Sequence, residues 1–271
     1  MAVNYGPNRY DVVGSFLRPA KLKQAREDFS AGAIDAAALK AVEDECITDL
    51  IAKEKKAGLR FITDGEFRRA TWHLDFMWAF EGIGHSTTED GLPFHDEAAK
   101  IDDTYLTGKI SLAGEHPFVE HFRFVQSFED ENTTAKLTIP APAQFIEQFI
   151  MPMNRKATDA AYGSDALLED DIVAAYLAFI EQVHAAGCRN LQFDDCSWGC
   201  LVDPKAELFF GTDQAGLARI HEAAKYVPLE NLCLSPQCGF ASCEIGNKLT
   251  EEQQWAKVAL VREIAEEVWG D

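Results

Sequence analysis

A helix-like segment, a short apolar strand and a cluster of polar residues recur in that order three times, and the recurrence predicts an α/β protein with a parallel sheet. Acidic and thiol groups fall at the C-terminal ends of several different strands, which is where a (β/α)8 barrel assembles its site from separate loops. Neither G-x-G-x-x-G nor G-x-x-x-x-G-K-[ST] follows the first strand, so an open nucleotide-binding sheet is disfavoured.

Taken in chain order, Y-D-V-V-G-S is the opening strand and ends at Ser15. The helix A-L-K-A-V-E-D-E-C-I-T-D-L-I-A-K-E-K-K-A-G follows, with Val42, Cys46, Leu50 and Ile51 at helical spacing, lysines in its last turn and Gly58 as its stop. The strand L-R-F-I-T then runs into Asp64, Gly65 and Glu66. Residues 81–130 break the rhythm with G-I-G-H and T-G-K-I-S-L-A-G, and read as a β-rich extension within a single domain spanning 1–271. A-K-L-T-I-P-A-P is the next strand. The helix D-I-V-A-A-Y-L-A-F-I-E-Q-V-H-A-A-G leads to N-L-Q-F, Asp194 and Asp195, and L-A-R-I-H-E-A-A-K-Y-V-P leads to N-L-C-L and then Ser235 to Cys238. Thr250 and Gln253 stand in capping-box spacing before a closing helix, which carries Trp255, Val258, Val261, Ile264 and Val268 on one side. Only five strands are credible where eight are needed. After Gly216-Leu217-Ala218 the chain enters the next helix at Arg219 with no strand between, as though some βα units were absent.

The composition narrows the partners. The chain has 271 residues, 47% of them hydrophobic and 18 of them Phe, enough to bury a large core. Its 45 acidic and 25 basic residues give a net charge of -20, which repels phosphate backbones and anionic lipid, so neither nucleic acid nor a membrane is expected. The first residues lack the charge and apolar run of a secretion signal, and the seven cysteines lack the density of a disulfide scaffold. A cytoplasmic protein with reduced thiols is the expectation.

V-V-G-S-F-L-R-P, F-I-T-D-G-E-F-R-R, L-Q-F-D-D-C-S-W-G and L-S-P-Q-C-G-F-A-S, in that order, resemble the cobalamin-independent methionine synthase family, and most closely its shorter single-barrel relatives. The resemblance implies a barrel of the methionine synthase and uroporphyrinogen decarboxylase type, and a methyltransferase that moves a methyl group onto the zinc-bound thiol of homocysteine to give methionine. Zinc suits that chemistry because it removes the thiol proton while the sulfur stays nucleophilic. Carried over residue by residue, Cys238 occupies the position of the last zinc-binding cysteine. Glu66 and Asp194 match the carboxylates that hold the substrate amino group, and Ser15 sits in the loop that meets the substrate carboxylate. The family's H-x-C and Glu zinc ligands are not found between D-D-C-S-W-G and the helix at Arg219. Cys196, Cys200, Cys233 and Cys243 lack the close pairing of a strong zinc signature. The methyl donor is open between a methylated folate and another carrier, and a barrel short of strands is expected to self-associate through its open edge.

Blander roles stand beside these. Glu66 and Asp194 could be strand-end carboxylates satisfied by the following loop or by Arg68 and Arg69. His184 fits a helix cap, His73 is a weak site candidate, and Trp72 and Trp198 fit a ligand wall or the core equally. Two other functions remain: a catalytically degenerate amino-acid-binding barrel, and a zinc-free barrel decarboxylase, which would need several arginines for substrate carboxylates where only Arg18, Arg68 and Arg69 are near.

Overall fold

The computed structural model describes residues 10–86, 92–94, 97–99, 103–196, 233, 235–236, 238–243 and 248–269. The chain divides into two compact units that are discontinuous in sequence, one formed by 1–72, 121–137 and 230–271 and the other by 73–120 and 138–229.

In the first unit α1 (Ala20–Ser30) precedes α2 (Ala36–Lys56), whose N-cap Asp35 accepts from the Ala38 N–H at 2.8 Å and whose last turn holds Lys53, Lys55 and Lys56. Both ends suit the helix dipole. The strand β1 (Phe61–Ile62) pairs in parallel with β6 (Thr134–Ala135), register Phe61↔Thr134 and Ile62↔Ala135. The closing helix α8 (Glu251–Trp269) starts at the expected capping box: Thr250 N–H donates to Gln253 Oε1 at 2.9 Å and Gln253 N–H to Thr250 Oγ1 at 3.3 Å. Val258, Val261 and Ala265 of that helix are buried, and Trp255 packs 5.4 Å from Phe16. Beneath β1, Glu54 is fully buried and accepts from the Thr63 N–H and hydroxyl. Burial pushes its carboxyl well above the usual range, against a smaller opposing pull from Thr63 and Lys136. Lys136 itself is tied to Asp11 at 2.6 Å and to the Val12 carbonyl at 2.9 Å.

The second unit begins with α3 (Leu74–Met77) and a hairpin in which β2 (Glu81–Ser86) runs antiparallel to β5 (Asp103–Ser111), with β3 (Leu92–Phe94) and β4 (Glu97–Ala99) paired between them. The β2 ladder slips between Glu81 and Ile83, where Gly82 has φ 80° and a Cβ would meet the Lys109 carbonyl oxygen at 2.2 Å. The helix α4 (Pro117–Gln126) lies across the sequence boundary of the units. Next come β7 (Leu137–Pro140), α5 (Pro142–Ile150), α6 (Arg155–Ala161), α7 (Asp165–Ala185) and β8 (Leu191–Asp194), which pairs with β7. The core is aromatic. Phe76 lies 5.0 to 6.4 Å from Phe80, Phe118, Phe145, Tyr176 and Phe179. His116 is enclosed among them, its Nε2 at 3.2 Å from the Phe76 carbonyl oxygen and its Nδ1 accepting from the Phe118 N–H at 3.1 Å, so the imidazole is a neutral packing group.

The alternation of helix with short strand is therefore present at β1, β7 and β8; β7 is buried throughout, whereas Phe193 of β8 is exposed. The segment 81–130 carries β2 to β5 and then α4, in which Phe118, Val119, Phe122 and Val125 recur at helical spacing and are buried. Among the described residues Y-D-V-V-G-S forms no ladder, and Ser15 at its end makes an isolated parallel bridge to Gly239. The described strands form four two-stranded sheets and no closed barrel is traced among the described residues. Strand N-L-C-L, the helix at Arg219 and the gap before it lie outside the described residues, apart from Cys233.

Truncating Phe76 to Ala should cost about 3–5 kcal/mol, since it removes the ring that five others share. Urea denaturation followed by fluorescence and circular dichroism checks this, and a loss below about 1 kcal/mol would mean that the cluster is loosely packed.

Candidate functional site

The site of the first unit is built around Gly14–Ser15–Phe16. Ser15 is fully buried; it bridges in parallel to Gly239, its carbonyl accepts from the Phe240 N–H at 2.6 Å and its Oγ accepts from the Ala241 N–H at 2.8 Å. On the other side the Phe16 N–H donates to the Gly65 carbonyl at 3.1 Å. A Cβ at Gly239 would lie 2.5 Å from both Ser15 N and O, and one at Gly14 would lie 2.8 Å from the Cys238 carbonyl oxygen. Glycine at 14 and 239 is what lets the two backbones touch.

Each loop that meets Ser15 carries a pair of left-handed residues. Gly65 and Glu66 both have φ 60°, and Cys238 and Gly239 have φ 56° and 69°. Glu66 and Cys238 are the non-glycine residues at positive φ among the described residues, and each such placement costs about 1–3 kcal/mol unless its surroundings impose it. For Glu66 the surroundings are explicit. Thr63, itself held by Glu54, accepts at Oγ1 from the Gly65 N–H at 3.1 Å, and Asp64 Oδ1 accepts from the Glu66 N–H at 2.9 Å. Asp64 Oδ2 is buried with no hydrogen-bond partner among the described residues.

Charge surrounds Glu66, which is 3% exposed. Arg69 Nη1 lies 3.6 Å from its Oε1, longer than a good hydrogen bond, and donates to the Trp72 carbonyl at 3.3 Å. Arg68 turns away to Glu43 at 3.1 Å and to Asp44, both on α2. Arg18 donates to the carbonyls of Glu66 at 2.9 Å, Arg69 at 3.1 Å and Ala241. Burial lowers the Arg18 pKa, and the Glu66 charge opposes that shift. The loops are tied again further out, where Trp72 N–H donates to the Ser242 carbonyl at 3.0 Å and Thr71 bridges to Cys243.

Ser15, Glu66 and Cys238 are thus joined through one set of backbone bonds. Asp194 belongs to the second unit, where it ends β8 half-buried, with Oδ1 accepting from Gln192 Nε2 and its carbonyl from the Ala141 N–H at 2.8 Å. Asp195 and Cys196 are exposed, the latter with Sγ 3.3 Å from Gln144 Oε1. His184 lies in the last turn of α7, its carbonyl accepting from Gly187 N–H and Arg189. His73 begins the second unit; its ring Nδ1 is out of solvent, and desolvation pushes its pKa down to about 4. Trp198 and Cys200 lie outside the described residues.

For zinc the fit fails on what is described. Cys238 is exposed, and no group of three His, Cys, Asp or Glu side chains converges on a common point among the described residues. A closed tetrahedral site needs four such ligands. Arg18, one of the three arginines near the proposed face, is spent on backbone carbonyls. Nothing in the charge pattern separates that use from binding a substrate carboxylate.

The mixed α/β fold that carries these loops is similar to methionine-synthase-like folds. A crystal structure described as the "Putative Vitamin-B12 Independent Methionine Synthase from Listeria monocytogenes" is 28% identical, with 98% of this chain and 99% of that one covered at a TM-score of 0.71. A B12-independent methionine synthase from Shewanella sp. W3-18-1, in complex with selenomethionine, is 17% identical over 84% of this chain and 60% of its own at a TM-score of 0.50, a likeness of fold. Two proteins of Bacillus subtilis (strain 168), "Uncharacterized protein YxjG" and "Uncharacterized protein YxjH", are each 30% identical over 97% of this chain and 95% of their own length, and the chain belongs to their family. Those alignments run over 367 and 366 residues, longer than the 271 of this chain, so both relatives carry positions opposite which it has no residue. No family model matches the chain.

Two outcomes are expected. Cys238→Gly should stabilise the protein by about 1 kcal/mol, because an exposed side chain in a left-handed turn is exchanged for the residue that adopts it freely; a lower melting temperature would show that the cysteine makes a contact worth more than its strain. His73 is held neutral in the fold, so its contribution is full above its unfolded pKa near 6.5 and is lost as pH falls from there to about 4. His73→Asn should flatten the fall in melting temperature across that window, and an unchanged slope would assign the acid sensitivity elsewhere.

Proposed function

We propose that this chain is a methyltransferase-type barrel of the methionine synthase kind, whose pocket takes the amino-acid end of homocysteine or methionine. The observation that carries the reading is Glu66: a buried carboxylate in a left-handed turn, held by Asp64, Thr63 and Arg18, inside the F-I-T-D-G-E motif that matches the family's amino-group binder. Strain at such a residue is retained where it places a side chain for binding. A carboxylate so placed accepts hydrogen bonds from a substrate ammonium; Asp194, which matches the family's other amino-group binder, ends β8 in its own unit. The Ser15 side chain is engaged by the 239–241 turn, which leaves the substrate carboxylate to backbone N–H groups of these loops.

In the family's reaction a carbon–sulfur bond forms as the methyl group leaves its donor and the homocysteine thiol gives up its proton. Zinc supplies thiol activation when bound, and Cys238 would be one ligand for it. The described residues provide no set of companions, so no step is assigned to the metal. That shortfall favours a second reading, in which the amino-acid pocket is retained and methyl transfer is lost. The arginine arrangement weighs against the decarboxylase alternative, because Arg18 and Arg68 are committed to carbonyls and to α2. Cytoplasmic location, a methylated folate donor and self-association through an open sheet edge belong to the same proposal. No helix among the described residues is long and apolar enough to cross a membrane.

Millimolar methionine or homocysteine should raise the melting temperature by linkage, and Glu66→Gln or Asp194→Asn should abolish the rise. A full shift in either variant would return that residue to a structural role. Elemental analysis of zinc-loaded, dialysed protein decides between the two readings. Well under one equivalent, with no methyl transfer above a Cys238→Ser control, is the outcome expected of the binding-only form. Stoichiometric zinc lost on Cys238→Ser would establish the methyltransferase.

A further inference from the structure

We propose that Arg18 is a positioning residue that builds the amino-acid pocket before a ligand arrives, by fastening the Glu66 turn and the 238–243 turn to the Ser15 segment. The inference rests on the amino-acid-binding reading for its functional consequence, and on geometry alone for its structural one.

The need for such a residue follows from the left-handed pairs. A chain that turns through Gly65–Glu66 or Cys238–Gly239 leaves its strand ladder, and carbonyls beyond the turn require donors from elsewhere. Arg18 supplies several, adding to the Arg69 N–H that the Glu66 carbonyl also accepts at 3.0 Å. Its Nη2 reaches the carbonyls of Glu66 and Arg69 in the first turn, and its Nη1 reaches that of Ala241 in the second. The side chain is 4% exposed, so the cation has been taken almost wholly out of water. Its hydrogen bonds go to neutral oxygens, with the Glu66 carboxylate contributing charge rather than a bidentate clasp. Burying a charge in this way is costly unless geometry compensates. The compensation here is that a single planar fork spans two loops that are otherwise 170 residues apart in sequence, Glu66 against residues 238–241, in a manner that an ammonium on a flexible stem cannot copy.

Arg18 also bears on the chemistry of Glu66 without touching substrate. Its fork holds the carbonyl of the residue whose carboxylate the proposed function assigns to the substrate ammonium, and its charge stands beside Arg69. Freed from that fork, the turn could relax from φ 60° to ordinary backbone, and the carboxylate would swing from its place.

The test uses the full chain with Arg18→Ala and Arg18→Lys, read by amide hydrogen exchange without ligand and by calorimetric titration with methionine. In Arg18→Ala, exchange should rise together in peptides covering 63–72 and 238–243, while the Glu81–Ser111 hairpin keeps its protection. Methionine affinity should fall by about tenfold or more, the cost of ordering two loops at binding. Methylguanidinium added to the alanine variant should restore both protection and affinity, which a general packing defect would not allow. Should Arg18→Ala fail to fold, Arg18→Lys carries the test, with intermediate exchange in both turns. Faster exchange in one turn only, or equal loss across the whole chain, overturns the proposal. If the unmodified protein shows no heat with methionine, the amino-acid reading fails by itself, and the exchange pattern still decides the role of Arg18.

Discussion

The close approach of Gly14–Ser15 to Cys238–Gly239 is the constraint on which the first unit depends. Two backbones pass so near each other that a methyl group on either glycine would collide with the opposite carbonyl or amide. From that contact the remaining arrangement follows. Ser15 becomes fully buried, its hydroxyl is used on Ala241, and Phe16 is presented to Trp255 of α8 and to Phe240. The first and last parts of the chain are thereby held in one core.

The price of the contact is strain, and it is carried by two residues that the family motifs single out. Glu66 and Cys238 adopt backbone angles that glycine would take more easily, and they do so on turns that both lean on Ser15. Beneath the Glu66 turn a chain of polar contacts runs from Glu54 through Thr63 to Gly65, all of it out of solvent. A buried network of this kind is rigid when satisfied, which is what a recognition carboxylate needs from its support. The neighbouring arginines divide the work: Arg68 anchors the loop to α2, Arg69 stays near the carboxylate, and Arg18 joins the loops.

The chain belongs to the family of YxjG and YxjH and shares its fold with the Listeria structure described as a putative methionine synthase. Its relatives' alignments contain positions that it lacks, and its described residues assemble the buried Glu66 turn without assembling a metal centre. Binding an amino acid and activating its thiol are thus separable demands on the same fold, because one needs a few fixed hydrogen-bond partners and the other needs several ligands converging on one point.

Local patterns were legible from the residues: the capping box at Thr250 and Gln253, the lysine-rich end of α2, the strand ending at Asp194, and the motifs containing Ser15, Glu66 and Cys238 all depend on neighbours within a few positions. In 81–130 the glycine-rich β pattern is legible at β2 and β5, while the helix α4 shows only in the spacing of Phe118, Phe122 and Val125. What tertiary structure alone decided was how distant segments spend their polar groups. An arginine, a serine and a left-handed glutamate read identically in sequence whether they face a substrate or a backbone carbonyl, since the partner is set by a fold that brings residue 18 to residues 66 and 241. Sequence determined which residues were available for the site, and the packing of backbone against backbone determined which of them were left to meet a ligand.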